Sequence, residues 1–401
     1  MTMARTKSIT GAALLLGLTL PLGVSGFAQD SGTTFCVQGF QEGYDYFPDK
    51  AEVTYAENFA VTYHGNYKVV VVDEPFVGGL PQTYVLVQCG TPSPDLSGAL
   101  AGATVIQTPV SSIFSASTTH NPMLDALDAV DRVTGVSSLA YATTQSILDA
   151  GAAGALVEFA TTGAVDAEIV IDAAPELFIT GGGDDPAYDV LVAAGIPVVA
   201  DAEWLEPTAL GRAEWIKFIA LFLNEEALAE DVFDMVEGSY LSAIAAVVDI
   251  EDADRPFVLA GSSFQGIFYA SGGRSYVAQS IAAAGGRYVF ADDTGTSSIA
   301  FPDLEIVLDA AADAAVWINS STSYRTLADV AAEEPRLAAI PAAESGEIWN
   351  YDRITTPSGG VAFFELGVLR PDLVVRDLIE ILHPGTLPDH EFVFYRPITS
   401  G

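Results

Sequence analysis

The chain has 401 residues, half of them hydrophobic and a tenth aromatic, which suits two domains with substantial cores and excludes wholesale disorder. Its 53 Asp plus Glu against 16 Lys plus Arg give a formal charge of -37. A field of that sign argues against nucleic acid and anionic lipid as partners; it reads as an acidic surface suited to high salt, or as a lineage-wide composition bias.

Residues 1–28 carry the three parts of a secretory signal peptide. Arg5 and Lys7 form a positive start, Ala12 to Leu22 an apolar stretch, and Gly26-Phe27-Ala28 a cleavage site. The apolar stretch falls short of the ~20 residues a membrane span needs, and Pro21 interrupts it, so cleavage after Ala28 is expected over an N-terminal anchor. Thr33-Thr34-Phe35 ahead of Cys36 does not suit lipid attachment. In an oxidising compartment the only two cysteines, Cys36 and Cys89, read as a disulfide. It would close a loop of about 54 residues and contribute up to ~4 kcal/mol. A pair of buried thiols is the alternative.

Residues 29–94 are rich in Tyr, Val and Thr and form a β-rich N-terminal extension, with strands expected at 52–55, 67–72 and 83–87. From about residue 95, short apolar runs alternate with Ala-rich helical stretches, the pattern of parallel α/β sheets. Buried strands are expected at 111–114, 177–180, 197–200, 257–260, 288–291, 316–319 and 347–349. The two α/β halves are 95–206 and 250–401. Between them, over 207–249, Trp215, Ile219, Phe222, Leu223, Leu228, Val232, Phe233, Val236 and Tyr240 recur near a 3.6-residue period. One helix of ~38 residues there would reach about 57 Å and act as a rigid strut. Two helices broken near Gly238 are the alternative.

A repeat links the halves. Asp166 to Ala174 recurs as Asp303 to Ala311 with seven of nine positions identical, and each copy leads into a hydrophobic strand. Asp166 and Asp303 suit helix N-caps, with Glu168 and Glu305 in the first turn. No GxGxxG, P-loop, GxSxG or HExxH motif occurs, and the four histidines are scattered. Gly181-Gly182-Gly183-Asp184-Asp185 is a poor phosphate cradle because its aspartates repel phosphate. No catalytic residues and no metal site are expected.

The stretch Glu203-Trp204-Leu205-Glu206-Pro207 with Gly211-Arg212-Ala213-Glu214-Trp215-Ile216-Lys217-Phe218 resembles the linker region of ABC-importer substrate-binding proteins for iron-siderophores, haem and cobalamin. Ser271-Gly272-Gly273-Arg274-Ser275-Tyr276, Ala284-Gly285-Gly286-Arg287-Tyr288, 303–318 and the closing Pro371-Asp372-Leu373 through His383-Pro384 resemble that family's second lobe. The resemblance covers about 105–390. It implies two Rossmann-like lobes with parallel sheets joined by one long rigid helix, the class III periplasmic-binding-protein fold. It implies no enzyme and no resident cofactor, but a monomeric periplasmic protein that binds a ferric siderophore, haem or cobalamin and meets ABC permease subunits. It also implies that Glu168 and Glu305 dock on permease arginines; the plainer reading is that each only favours its own helix dipole, for ~0.3–1 kcal/mol. An exported surface or sensory protein that keeps the fold without transport is the alternative function.

Ligands of open α/β sheets sit beyond the C-terminal ends of the strands. That shortlist gives Ser115, Thr118, Thr119, His120, Asp184, Asp185, Glu203 and Trp204 in the first lobe. In the second it gives Phe264, Gln265, Phe268, Tyr269, Thr294, Thr296, Tyr324, Asn350 and Arg353. Aromatic rings suit a flat chelate, and Arg274 and Arg353 an anionic one. Trp204 is equally a packing anchor, Phe268 equally core, and His120 reads as a metal ligand or a hydrogen-bonded structural residue.

Overall fold

The computed structural model describes residues 36–399. The expected signal peptide and its cleavage site lie outside the described residues.

The chain opens with a four-stranded sheet of β1 (Phe59–His64), β2 (Tyr67–Val72), β3 (Gln82–Gln88) and β4 (Thr104–Thr108). The order is β1-β2-β3-β4, antiparallel except for the parallel β3–β4 pair. Gly65, with φ of 58°, opens the two-residue β1–β2 turn, where a side chain would be strained. Cys36 and Cys89 are disulfide-bonded, which ties the start of the described chain to the end of β3. β4 extends this sheet past the expected boundary at residue 94. The strand expected at 52–55 is a loop, because Glu214 takes the Thr54 and Tyr55 amides that a sheet partner would need.

The first lobe holds β5 (Ile113–Ser115), β6 (Val133–Val136), β7 (Val157–Glu158), β8 (Leu177–Thr180) and β9 (Val198–Ala200). All pairs are parallel, in the order β7-β6-β5-β8-β9. The order reverses at β5, which puts a crevice at the C-terminal ends of β5 and β8. Helices α1 (His120–Ala126), α2 (Gln145–Ala152), α3 (Ala167–Ala173) and α4 (Pro186–Ala193) connect the strands.

The joining segment is not one helix. It is α5 (Ala209–Ala213), α6 (Trp215–Leu223) and α7 (Glu226–Ala245), with the sharp break at Asn224 in the left-handed region rather than near Gly238. Charge explains the position. Lys68 of β2 is fully buried, and its ammonium donates to Leu221 O at 2.5 Å, Asn224 Oδ1 at 2.9 Å and Glu226 Oε1 at 2.6 Å. It thus sits on the electronegative end of α6 and pairs with the first residue of α7. α6 is buried on every side, between the N-terminal sheet and the first lobe: Phe59 meets Trp215 and Phe218, while Met123, Leu124 and Ile179 belong to the same core. The N-terminal sheet therefore shares its core with the first lobe.

The 20 residues of α7 reach about 30 Å. Its Ala229, Phe233 and Val236 belong to the first-lobe core and its Ala243 to the second, so α7 is the helix that joins the lobes.

The second lobe holds β10 (Phe257–Phe264), β11 (Ile267–Ser271), β12 (Arg287–Tyr288), β13 (Ser298–Phe301), β14 (Ala314–Asn319), β15 (Ile348–Asn350) and β16 (Arg396–Pro397). β10 pairs in parallel with β12 and β14, and β14 with β15. β11, β13 and β16 add antiparallel edges. The end of β10 turns back through Gln265 and Gly266, both at positive φ, as a hairpin with Phe264 beside its tip. Around the sheet lie α8 (Tyr276–Ala283), α9 (Leu304–Ala310), α10 (Leu327–Glu333), α11 (Pro341–Ser345), α12 (Leu366–Leu369) and α13 (Pro371–Leu382). The repeated segment forms α3 and α9. Asp166 accepts from the Glu168 and Ile169 amides and Asp303 from the Glu305 amide; the helices lead into β8 and β14 respectively.

Candidate ligand-binding cleft

The C-terminal ends of β10 and β14, the β11 strand, the N-terminus of α8 and the 296–298 segment enclose a cleft of about 250 Å3. Tyr269, Tyr276, Tyr351, Phe363, Phe364 and Tyr395 give it aromatic walls. Ser271, Ser275, Thr296, Ser297, Ser298, Asn319 and Ser320 give it small polar groups. No Lys, Arg, His, Asp or Glu lines it. Gly261 has φ of 145°, and a Cβ there would lie 2.3 Å from Tyr269 O, so the floor needs glycine.

Several lining groups already have partners. Ser275 caps α8 by accepting from the Ala278 amide, and its hydroxyl donates to Gly272 O at 2.7 Å. Asn319 bonds Ser321, and Tyr351 donates to Ser320 O at 2.5 Å. Burial holds the Tyr351 and Tyr395 phenols well above their ordinary value, so both stay neutral. The hydroxyls of Tyr269, Thr296, Ser297 and Ser298 have no hydrogen-bond partner among the described residues.

The first lobe covers one side of this region through polar bridges. Glu365, just after Phe363 and Phe364, is buried and accepts from the Thr143 amide at 2.6 Å, the Thr144 amide at 2.9 Å and both threonine hydroxyls. Thr356 Oγ1 donates to Ala140 O at 2.7 Å. Arg212 is held by Glu203 at 2.7 Å, and its guanidinium lies 4.5 Å from the centre of the Tyr276 ring. Gln279 donates to Pro207 O at 2.6 Å.

The predicted site residues separate sharply. Tyr269 lines the cleft. Phe264 stands at the hairpin tip, 62% exposed, outside the lining. Trp204 is exposed on the first lobe, packed against Gly182, where a Cβ would collide with its ring. Arg274 and Arg353 are exposed and neither lines the cleft. Tyr324 is a correction: it is core, 3% exposed, with its hydroxyl donating to Ser263 O at 3.1 Å. Phe268 is core as well.

His120 is a second correction. It is fully buried, with Nδ1 2.9 Å from Ser115 Oγ and Nε2 3.5 Å from Asp201 Oδ2. Burial pushes the imidazole down to about 3. Burial, then the nearby Glu203 charge, holds Asp201 well above the carboxylate range. The three side chains form a sealed neutral array, each at most 1% exposed, which no substrate reaches as it stands.

Sequence reasoning missed Tyr276, Tyr351, Phe363, Phe364 and Tyr395. Phe363-Phe364 is the one adjacent aromatic pair among them, and nothing local marks it as facing a cleft. Among the described residues no group of three or more His, Cys, Asp or Glu side chains is placed to hold a metal ion, and no helix is long and apolar enough to cross a membrane.

The Glu168 carboxylate is exposed on the first turn of α3. Its counterpart Glu305 is exposed on α9 but pairs with Arg336 at 2.9 Å. The glutamates of the 203–217 stretch turn inward. Glu214 accepts from the Thr54, Tyr55 and Ala56 amides and pairs with Lys217. Glu206 accepts from the Glu57 and Asn58 amides and Trp215 Nε1. That stretch is the platform on which the 54–58 loop is fastened.

The sequence model of the family described as periplasmic binding protein matches residues 113–355, starting at β5 and leaving the N-terminal sheet outside. An uncharacterized lipoprotein of Methanocaldococcus jannaschii is 27% identical over 84% of this chain and 80% of its own length. A second from that organism is 23% identical over 74% of this chain and 76% of its own. A periplasmic binding protein from Veillonella parvula is similar in fold, with a TM-score of 0.56, 11% identity, and 81% of this chain and 98% of its own covered. So is a periplasmic haem-binding protein from Pseudomonas aeruginosa, with a TM-score of 0.55, 17% identity, and 69% and 94% covered.

Proposed function

Because this chain belongs to the periplasmic binding protein family, we propose that it is the exported substrate-binding component of an ABC importer. It captures an iron-siderophore or similar metal chelate between its lobes and delivers it to a membrane permease. The observation that carries this reading is the cleft: aromatic walls and unpaired hydroxyls at the C-terminal edge of the second-lobe sheet, with the Glu365 bridge to the first lobe just after its Phe363 and Phe364. Rings stack on the flat faces of a chelate, and hydroxyls meet its carbonyl oxygens. Haem and cobalamin are the other cargoes of this class.

The protein works outside the cytoplasmic membrane. The leader expected over 1–28 supports this, as do the lipoprotein names of the two relatives. Both cysteines of this chain are engaged with each other.

Glu168 and Glu305 are the proposed permease contacts, one per lobe at equivalent places of the repeat. Complementary charge there sets orientation and encounter rate. The test is the double substitution Glu168→Lys and Glu305→Lys. Chelate affinity is expected to stay within about twofold while uptake by cells is lost. Uptake at the wild-type rate would refute the docking assignment. Chelate binding without any permease-dependent uptake by the wild type would favour the sensory reading.

A further inference from the structure

We infer that the cargo of this cleft carries no net negative charge, an inference that rests on the chelate-binding reading above. An anion drawn out of water is repaid best by an opposite charge, and neutral hydroxyl donors alone offset less of its desolvation cost. The cleft offers no cation. The Arg212 guanidinium is already held by Glu203 at 2.7 Å, that of Arg396 by Asp352 at 2.7 Å, and the exposed Arg274 and Arg353 lie outside the lining. The side chain that organises the rim is acidic, not basic. Asp293 accepts from the Gly295 amide at 2.7 Å, directly before Thr296. The chain's formal charge of -37 adds a long-range field that slows the approach of an anion at low salt.

Apart from the N-terminus of α8, where Ser275 already accepts from the Ala278 amide, what the cleft offers is neutral. The hydroxyls of Tyr269, Thr296, Ser297 and Ser298 donate and accept, which matches hydroxamate and amide oxygens on a chelate whose ligand charges cancel those of the metal. An ammonium tail on such a chelate would be tolerated at the acidic rim.

The test is titration calorimetry of the full chain with three ferric probes of different charge. They are a neutral cyclic trihydroxamate, a linear trihydroxamate bearing one ammonium, and a triply negative tricatecholate. The neutral and cationic complexes are expected to bind at least about tenfold more tightly than the tricatecholate, with the gap narrowing but persisting in high salt. Equal or tighter binding of the tricatecholate would overturn the inference while leaving chelate capture intact. Failure of all three, with haem and cobalamin also silent, would overturn both.

Two variants locate the discrimination. Thr296→Arg and, separately, Ser298→Lys each put a cation on the rim, and a thermal melt checks that each folds. Either is expected to raise tricatecholate affinity about tenfold without improving the neutral complex. Unchanged discrimination in both folded variants would show that charge selection does not arise in this cleft.

Discussion

Both lobes carry polar residues beyond the ends of their parallel strands and use them in opposite ways. In the first lobe, Ser115, His120, Asp201 and Glu203 follow the strand ends, yet all are buried and engaged inside the protein. In the second lobe the cleft leaves hydroxyls, those of Tyr269, Thr296, Ser297 and Ser298 among them, without partners among the described residues. Position at a strand's C-terminal end therefore does not identify a binding residue. What distinguishes the second lobe is polar capacity that the fold has not already used.

The largest expected effect concerns the first lobe's inward-turned acids. Glu214→Ala removes the acceptor of three part-buried amides of the 54–56 loop, while Lys217 keeps Glu230 at 2.8 Å and Glu52 O at 2.6 Å. The cost is expected to be about 2–4 kcal/mol by denaturant unfolding. A loss below about 1 kcal/mol would mean that the N-terminal sheet is not held there.

Glu365→Ala removes the acceptor that the second lobe gives to Thr143 and Thr144. A cost of about 1–3 kcal/mol is expected, with a larger radius of gyration by small-angle scattering. An unchanged radius would show that the other bridges alone hold the lobes.

The sealed His120–Asp201 pair makes a signed prediction. His120 is lowered from 6.5 to about 3, so its contribution is present above 6.5 and lost as pH falls towards 3. Asp201 is raised above 3.8, so its contribution is present below 3.8 and lost as pH rises through the folded value. Where the two windows overlap, above 3.8 and below 6.5, the two slopes oppose each other. His120→Asn should expose a fall with rising pH, and Asp201→Asn a fall with falling pH, each up to about 1.4 kcal/mol per pH unit. Two flat variants would mean that the pair does not titrate as described.

The smallest effect contrasts the lobes at the cleft. Tyr269→Ala should weaken chelate binding about tenfold, ~1.4 kcal/mol, with an unchanged melting temperature. Trp204→Ala should change it by less than about threefold. The reverse order would move the binding surface to the first lobe.

Much of the architecture was legible because apolar runs bounded by turn residues announce buried strands: 177–180 is β8 to the residue. The repeat also announced two capped helices before two equivalent strands. The break at Asn224 was not legible, because the apolar period runs across it and the ammonium that stabilises it comes from Lys68, about 150 residues away in sequence. Tyr269 was legible as an aromatic a few residues beyond the expected strand 257–260, though it lies within β11. Tyr324 and His120 met the same rule and proved buried, since a strand end does not reveal which side chains turn inward. Phe363, Phe364 and Tyr395 reach the cleft from segments far from the strands that frame it, and no local pattern marks that.

The central claim, a chelate held in the second-lobe cleft, is tested most directly by native mass spectrometry with visible absorption. Wild type and Tyr269→Ala would be purified identically from iron-limited source cells. The account predicts a co-purified metal chelate on the wild type and a largely empty variant that melts at the same temperature. A wild type that emerges empty and binds no trihydroxamate, haem or cobalamin when titrated would contradict it, as would a chelate retained equally by both proteins.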